Sequence, residues 1–421
     1  MSHSHEVGLR RRIGSSIVDQ AVNSGTNFFI AAIGARLLEP ADFGGFVVAL
    51  SIAYFFIGVQ RAVIGDPMLI HVPGLEAEQA KRSCRDALSV ALLLGAIGFT
   101  TMLMIGLVGS ELTEDLVFVA PWMPMVLVQD ASRYVFLSSF RPTSALVSDG
   151  LWALVQTSAV GIAFAADIVT PEVLSAAWGF GATAGAFFYL ALARMGTFSL
   201  TPQAWFRSVA QLSRSFLGIS VLNQVHQQCI LLIPGALLSA ESTGAIRSVQ
   251  LLAFQPVQLL NVAIIAILVP TMVKLRAAGR QREIFGLMRR LTLLLLSMCA
   301  VGIAFVSVWH DSLIELTFPE YAEAGNSLIP FAVFASIYLV TMPAQVVLRT
   351  LRSVNSVFVA QFVATVLTVP GIVVGALTHG VAGVSWALVI TSLPFVVIVG
   401  TRCMIAVRAE DNGSRLTAST P

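Results

Sequence analysis

The sequence predicts an all-α integral membrane protein. Twelve transmembrane helices form two parallel six-helix lobes, a 6+6 pseudo-twofold arrangement with both termini in the cytoplasm. Three observations predict it. Hydrophobic residues make up 56% of the 421 and charged residues 11%, with a mean hydropathy of +0.83, whereas a soluble globular chain carries about 25% charge. The apolar residues gather into twelve segments, each close to the roughly 20 residues that cross a bilayer. Of the 25 Lys and Arg, all but Arg36 and Arg247 fall on the same side as the N-terminus, and cytoplasmic loops are the ones enriched in these residues. Miscounting one helix would scramble that alternation, so the count is even.

Residues 1–13 form a cytoplasmic N-terminus with Arg10, Arg11 and Arg12. The run after them is long, is broken by polar residues and leads into further spans. It reads as an uncleaved first helix rather than a secretory signal. The first lobe, 14–195, holds spans at 14–38, 43–64, 86–109, 116–138, 145–167 and 173–195. A tight turn joins the first two, and Gly65 to Asp86 is the longest loop. A polar cytoplasmic linker, 196–212, contains Pro202 and Arg207. The second lobe, 213–406, holds spans at 213–239, 244–272, 290–309, 327–348, 355–378 and 381–406, and 407–421 is a cytoplasmic tail. The halves also repeat weakly: Leu37, Leu38 and Gly44 match Leu237, Leu238 and Gly244, while Asn23 falls on Asn223 and Asn27 on Gln227. Parallel repeats of this kind place a substrate path between the halves.

Polar residues concentrate on four spans. Asp19, Asn23 and Asn27 fall at i, i+4 and i+8, a wet stripe on the first helix. The second helix carries Tyr54, Gln60 and Arg61; the seventh carries Asn223, Gln224, His226, Gln227 and Gln228; the eighth carries Arg247, Gln250, Gln255, Gln258 and Asn261. An unpaired amide in hydrocarbon costs several kcal/mol. For any one amide, a bridge between helices is an equal account; for the whole set, a lined cavity is the better one. Candidate cavity residues are therefore Asn23, Asn27, Arg36, Tyr54, Arg61, Asn223, Gln227, Arg247, Gln250, Gln258 and Asn261.

Ionisable groups inside spans cost roughly 2.5–3.5 kcal/mol each on insertion scales and default to a functional role. Asp19, Asp130 and His226 are the candidates for ion coupling. Arg133, three residues from Asp130, has the spacing to neutralise it as a structural ion pair. Asp149, near a cytoplasmic end, is expected to be solvated. His226 either titrates near neutral pH or stays uncharged and hydrogen-bonded. Arg36 and Arg247 either snorkel or pair with Glu39, Asp42 or Glu241, or they attract an anionic headgroup, since a guanidinium matches phosphate geometry.

The four cysteines, Cys84, Cys229, Cys299 and Cys403, lie far apart without a CxxC, so neither a disulfide nor a metal is expected. A Walker loop, a nucleophile elbow and an HExxH motif are all missing from the sequence. The expectation is a non-enzyme without cofactor or nucleic-acid partner, driven by an H⁺ or Na⁺ gradient, by the substrate's own gradient or by a partner.

The stretch NSGTNFFIAAIGARLLEPADFGGF, followed by a second span ending in GDPM, resembles the polysaccharide exporter branch of the multidrug/oligosaccharidyl-lipid/polysaccharide (MOP) exporter superfamily. Ala35, Arg36, Leu37, Pro40, Phe43, Gly44 and Phe46 carry the resemblance, and beyond the first seventy residues it rests on topology. It implies a V-shaped pair of lobes, alternating access, and a cavity lined by helices 1, 2, 7 and 8. It further implies movement of isoprenoid-diphosphate-linked glycans to the outer leaflet, with cations on the diphosphate and amides on the sugars. The expected function is thus a flippase for a lipid-linked oligosaccharide or exopolysaccharide precursor in the bacterial cytoplasmic membrane, in contact with membrane lipids and polysaccharide assembly machinery. The alternatives are a cation-coupled multidrug exporter of the same superfamily and, less favoured for want of a large outer loop, a membrane-embedded polysaccharide polymerase.

Overall fold

Proline and glycine set the helix boundaries at the start of the chain. In the computed structural model, which describes residues 25–26, 28–193, 198–199, 201–350 and 354–418, the apolar helix α1 (Phe28–Leu37) stops two residues short of Pro40. Glu39 is extended, with φ −60° and ψ 148°, as a residue before proline prefers. Pro40 then opens α2 (Pro40–Gln60) at its first turn, with Asp42 near the positive helix end. From Phe43 to Ser51 every side of α2 is buried, which is how a helix apolar all round is accommodated. The next five residues, Arg61–Gly65, wind as a π-helical turn leading into α3 (Asp66–His71).

The stretch expected as the longest loop is largely helical. After a 3-10 turn at Val72–Gly74, only Leu75 and Glu76 precede α4 (Ala77–Val108). Its polar residues suggested a loop, but they lie on the first turns of a helix that extends past its apolar part. The expected fourth span is interrupted: α5 (Leu116–Val119) passes through a 3-10 turn at Ala120–Trp122 into α6 (Met123–Ser138), because Pro121 and Pro124 each remove a backbone donor. Then α7 (Pro142–Ala165) and α8 (Pro171–Ala193) follow, each opened by proline.

The remaining helices are α9 (Gln203–Leu237), α10 (Ala240–Ala277), α11 (Gln281–Thr317), α12 (Gly325–Thr350) and α13 (Val354–Ala418). Helix α13 breaks at His379 and Gly380, whose φ of 58° suits glycine, and so supplies both of the last two expected spans. The described residues are all-helical, and eight stretches are long and apolar enough to cross a membrane. Leu293, Leu294, Val301, Phe305 and Val308 on α11 remain exposed, a surface that hydrocarbon rather than water would cover. This is a multi-pass membrane protein.

The chain forms two compact units, 1–245 and 246–421. Their division falls inside α10, and α9, expected to open the second lobe, packs along α2 in the first unit. Glycine permits that approach: a Cβ on Gly58 would stand 1.6 Å from Gln224 Nε2 of α9. The core of the first unit gathers Val63, Ile64, Met68, Leu88, Ala131 and Trp205. The second unit packs around Leu268, Met272, Val347, Ala360 and Phe395.

Candidate functional site

The end of α2 carries two polar residues that an apolar surrounding would penalise, and both reach the same carboxylate. Arg61 Nη2 donates to Asp130 Oδ1 at 2.7 Å, and its Nε donates to Oδ1 at 3.1 Å and to Oδ2 at 3.3 Å. Gln60 Nε2 adds a bond to Asp130 Oδ2 at 3.1 Å. The pair is unequal in burial. The Asp130 side chain is 6% exposed and that of Arg61 40%. The carboxylate is thus enclosed and neutralised, while Arg61 keeps an accessible part and an Nη1 not engaged by Asp130. A guanidinium held in this way is a pre-oriented anion ligand.

Two sequence-based expectations about these charges are overturned. Arg133 does not neutralise Asp130, and Asp149 is not solvated. Arg133 Nε lies 2.9 Å from Asp149 Oδ2, with both side chains at most 10% exposed. Gln129 Nε2 donates to Asp149 Oδ1 at 2.8 Å and to Ser148 Oγ at 3.3 Å, and Ser148 Oγ donates to the Gly185 carbonyl at 3.2 Å. The spacing of Asp130 and Arg133 allowed a local pair, but α2 brings Arg61 to the first and α7 brings Asp149 to the second.

The backbone that carries Arg61 is held by long-range bonds. Pro67 lacks the N–H that an α-helical turn would bring to the Val63 carbonyl. That oxygen accepts from Trp205 Nε1 at 3.0 Å and Ser213 Oγ at 3.2 Å, both on α9. Nine residues earlier, Gln224 Nε2 on α9 donates to the Tyr54 carbonyl at 2.9 Å. Its side chain occupies the space above Gly58, where a Cβ would stand 1.6 Å from Gln224 Nε2. Across the π-turn, the Tyr134 ring lies over Gly65, where a Cβ would meet Tyr134 Cζ at 2.8 Å.

The structure thus joins Arg61 to Asp130, two residues singled out separately, and it joins Arg247 to Gln250 through an Nη1 to Oε1 bond of 2.7 Å. Tyr54 lies edge-on to Trp178, with ring centroids 6.5 Å apart. Asn223 and Gln227 are half-buried, His226 and Gln250 buried, Asn261 half-buried, and Gln258 and Arg36 exposed. Asp19, Asn23 and Asn27 lie outside the described residues. Sequence reasoning missed Gln129, Trp205 and Ser213 altogether, and it named Gln60, Asp149 and Gln224 without selecting them for the site; Arg133, one of four arginines offered as diphosphate ligands along with Arg36, Arg61 and Arg247, is instead enclosed with Asp149. The signal for Trp205 and Ser213 was Pro67, which removes a backbone donor beside the turn that they bond. Among the described residues, no cluster of three His, Cys, Asp or Glu has the arrangement to hold a metal.

No family model and no curated protein matches the sequence. Solved structures match its fold. A multidrug resistance MATE-family transporter of the MOP superfamily, in an inward-facing conformation, superposes with a TM-score of 0.72 at 11% identity, over 94% of this chain and 99% of that one. The lipid II flippase MurJ, in an inward closed conformation, gives 0.73 at 12% identity, over 96% and 91%. A MOP-superfamily transporter from Pyrococcus furiosus, described by a binding pocket of reversed polarity, gives 0.61 at 13% identity, over 96% of each chain. At such identities the likeness is one of fold, and the fold is that of the MOP-superfamily transporters.

Proposed function

We propose that the protein is a flippase that carries a lipid-linked oligosaccharide or exopolysaccharide precursor across the bacterial cytoplasmic membrane by alternating access, with both termini in the cytoplasm and six helices in each repeat. The observation that carries this reading is Arg61, a guanidinium oriented by a buried carboxylate yet 40% exposed in a membrane-spanning stretch. Asp130 offsets its charge at rest, and the guanidinium face that stays accessible can still take a second anion during the working cycle. An isoprenoid diphosphate is such an anion, and it brings oxygens that a guanidinium binds in pairs. The amides Asn223, Gln227, Gln250, Gln258 and Asn261 would serve the sugars. Asp130 is the candidate for coupling to H⁺ or Na⁺, because a ligand that draws Arg61 away leaves its carboxylate free to take a cation.

The test is flipping in proteoliposomes of a fluorescent isoprenoid-diphosphate oligosaccharide, with and without a proton or sodium gradient. Protein-dependent movement is expected. Arg61→Lys, which keeps the charge but loses the fork, should slow it at least about tenfold, corresponding to the roughly 1.4 kcal/mol that a decade represents. A second reading, a cation-coupled drug exporter, draws support from the equally good superposition on the MATE-family transporter. Gradient-driven efflux of a cationic dye, with no glycan movement, would decide for it.

A further inference from the structure

We propose that Trp205 and Ser213 are positioning residues for Arg61, acting through the Val63 carbonyl to which both donate from α9. The proposal rests on the assignment of Arg61 as the anion ligand. Three observations carry it. First, that carbonyl lies inside the five-residue π-turn that begins at Arg61, and π-turns recur at functional sites. Second, its two donors are buried, Trp205 at 0% and Ser213 at 7% exposure, so water does not substitute for them easily. Third, the turn is gripped from two sides. Asp130 and Tyr134 hold it from α6, and Trp205 and Ser213 hold it from α9.

The geometry explains why the grip matters. A π-turn holds one residue more than the α-helical turn it replaces, and one residue of helix is about 100° of rotation. If the turn rewound to α-helix, Arg61 would rotate by about that angle relative to α3 and would leave Asp130. Capping the Val63 oxygen from α9 opposes the rewinding, since a buried carbonyl without a donor costs several kcal/mol in hydrocarbon. Any movement that separates α9 from α2 must first break these two bonds, so a change at this contact is felt at Arg61.

The experiment is a double-mutant cycle on the full-length protein. Trp205→Phe with Ser213→Ala removes both donors and retains most of the packing. In the native background this pair should raise the half-saturating concentration of the lipid-linked glycan at least tenfold at unchanged membrane level. In a Pro67→Ala background, where residue 67 gains the N–H that an α-helical turn brings to this carbonyl, the same pair should cost less than threefold. Equal losses in both backgrounds would mean that Trp205 and Ser213 only pack, and the proposal would fall. Thermal unfolding in detergent reads the clamp without any substrate. The drop in Tm caused by the pair should shrink in the Pro67→Ala background, and an unchanged drop overturns the clamp. Absence of glycan flipping by the wild-type protein would instead count against the flippase reading alone. Should Pro67→Ala fail to accumulate, Ser213→Thr in a Trp205→Phe background should restore what Ser213→Ala loses; equal activity of the two variants would refute the role of the hydroxyl.

Discussion

Buried charge is distributed unequally between the two compact units. The first encloses Asp130, Arg133 and Asp149, drawn from adjacent helices into two ion pairs. Among the described residues of the second, the buried polar side chains are uncharged serines, threonines and glutamines, such as Gln250, Thr341 and Gln345. The difference teaches that similar apolar helices can be held together in two ways. In the second unit close backbone packing does much of the work: a Cβ on Gly375 would lie 2.4 Å from the Gly383 carbonyl oxygen. In the first, charges hold the helices too, and they also orient a cation. Charge pairs in apolar interiors add little net stability over well-packed apolar residues, so their retention is better explained by what they position.

The comparison can be broken most sharply at the fully enclosed pair. Asp149→Ala leaves Arg133 buried without its carboxylate and should destabilise the protein by about 3–5 kcal/mol, read as a lowered Tm in detergent and reduced membrane level. Replacing both partners, Arg133→Met with Asp149→Leu, should recover most of that loss. Recovery of stability without recovery of transport would show that the pair serves function.

The next effect is expected at the half-open pair. Asp130→Asn should cost less, about 1.5–3 kcal/mol, because Arg61 retains access to polar surroundings. Its transport defect should exceed its stability defect; a variant that flips glycan normally would separate Asp130 from the working cycle.

Close packing supplies the matched test in each unit. Gly375→Ala in the second and Gly58→Ala in the first should each cost about 1–3 kcal/mol by overpacking. Only Gly58→Ala, which displaces Gln224, should also alter transport. Equal transport by both variants would erase the proposed difference between the units.

A separate effect, read through pH, concerns charge outside the membrane-spanning helices. Burial pushes the Asp115 carboxyl up to about 7 from 3.8, with Glu114, Asp42 and Glu172 adding to the shift. An acid with a raised native pKa binds more protons folded than unfolded, so stability falls as pH rises from about 4 to about 7. Asp115→Asn should flatten that fall. A Tm that changes between pH 5 and pH 8 as much in the variant as in the wild type would remove Asp115 as its cause.

Much of this architecture was legible in the residues themselves. The breaks at Pro40 and Gly380 and the apolar lengths of the spans report local chemistry. Arg61 and Asp130 were each conspicuous as charges in apolar runs, but their pairing was not, because they are 69 residues apart and Arg133 offered a nearer partner. Asp149 was misjudged for a related reason. Its place near the end of an apolar run suggested water, whereas Arg133 and Gln129 of α6 enclose it. Trp205 and Ser213 sat in or beside a polar segment that read as a linker.

The sequence by itself determined that the chain is helical, membrane-embedded and many times spanning. Those properties follow from the bilayer, which demands internally bonded backbone and apolar length from each segment separately. Only the tertiary structure decided which charge meets which, that α9 packs along α2 and what bonds the Val63 carbonyl. These depend on which helix faces meet across long stretches of sequence, and helical periodicity sets the faces without choosing their partners.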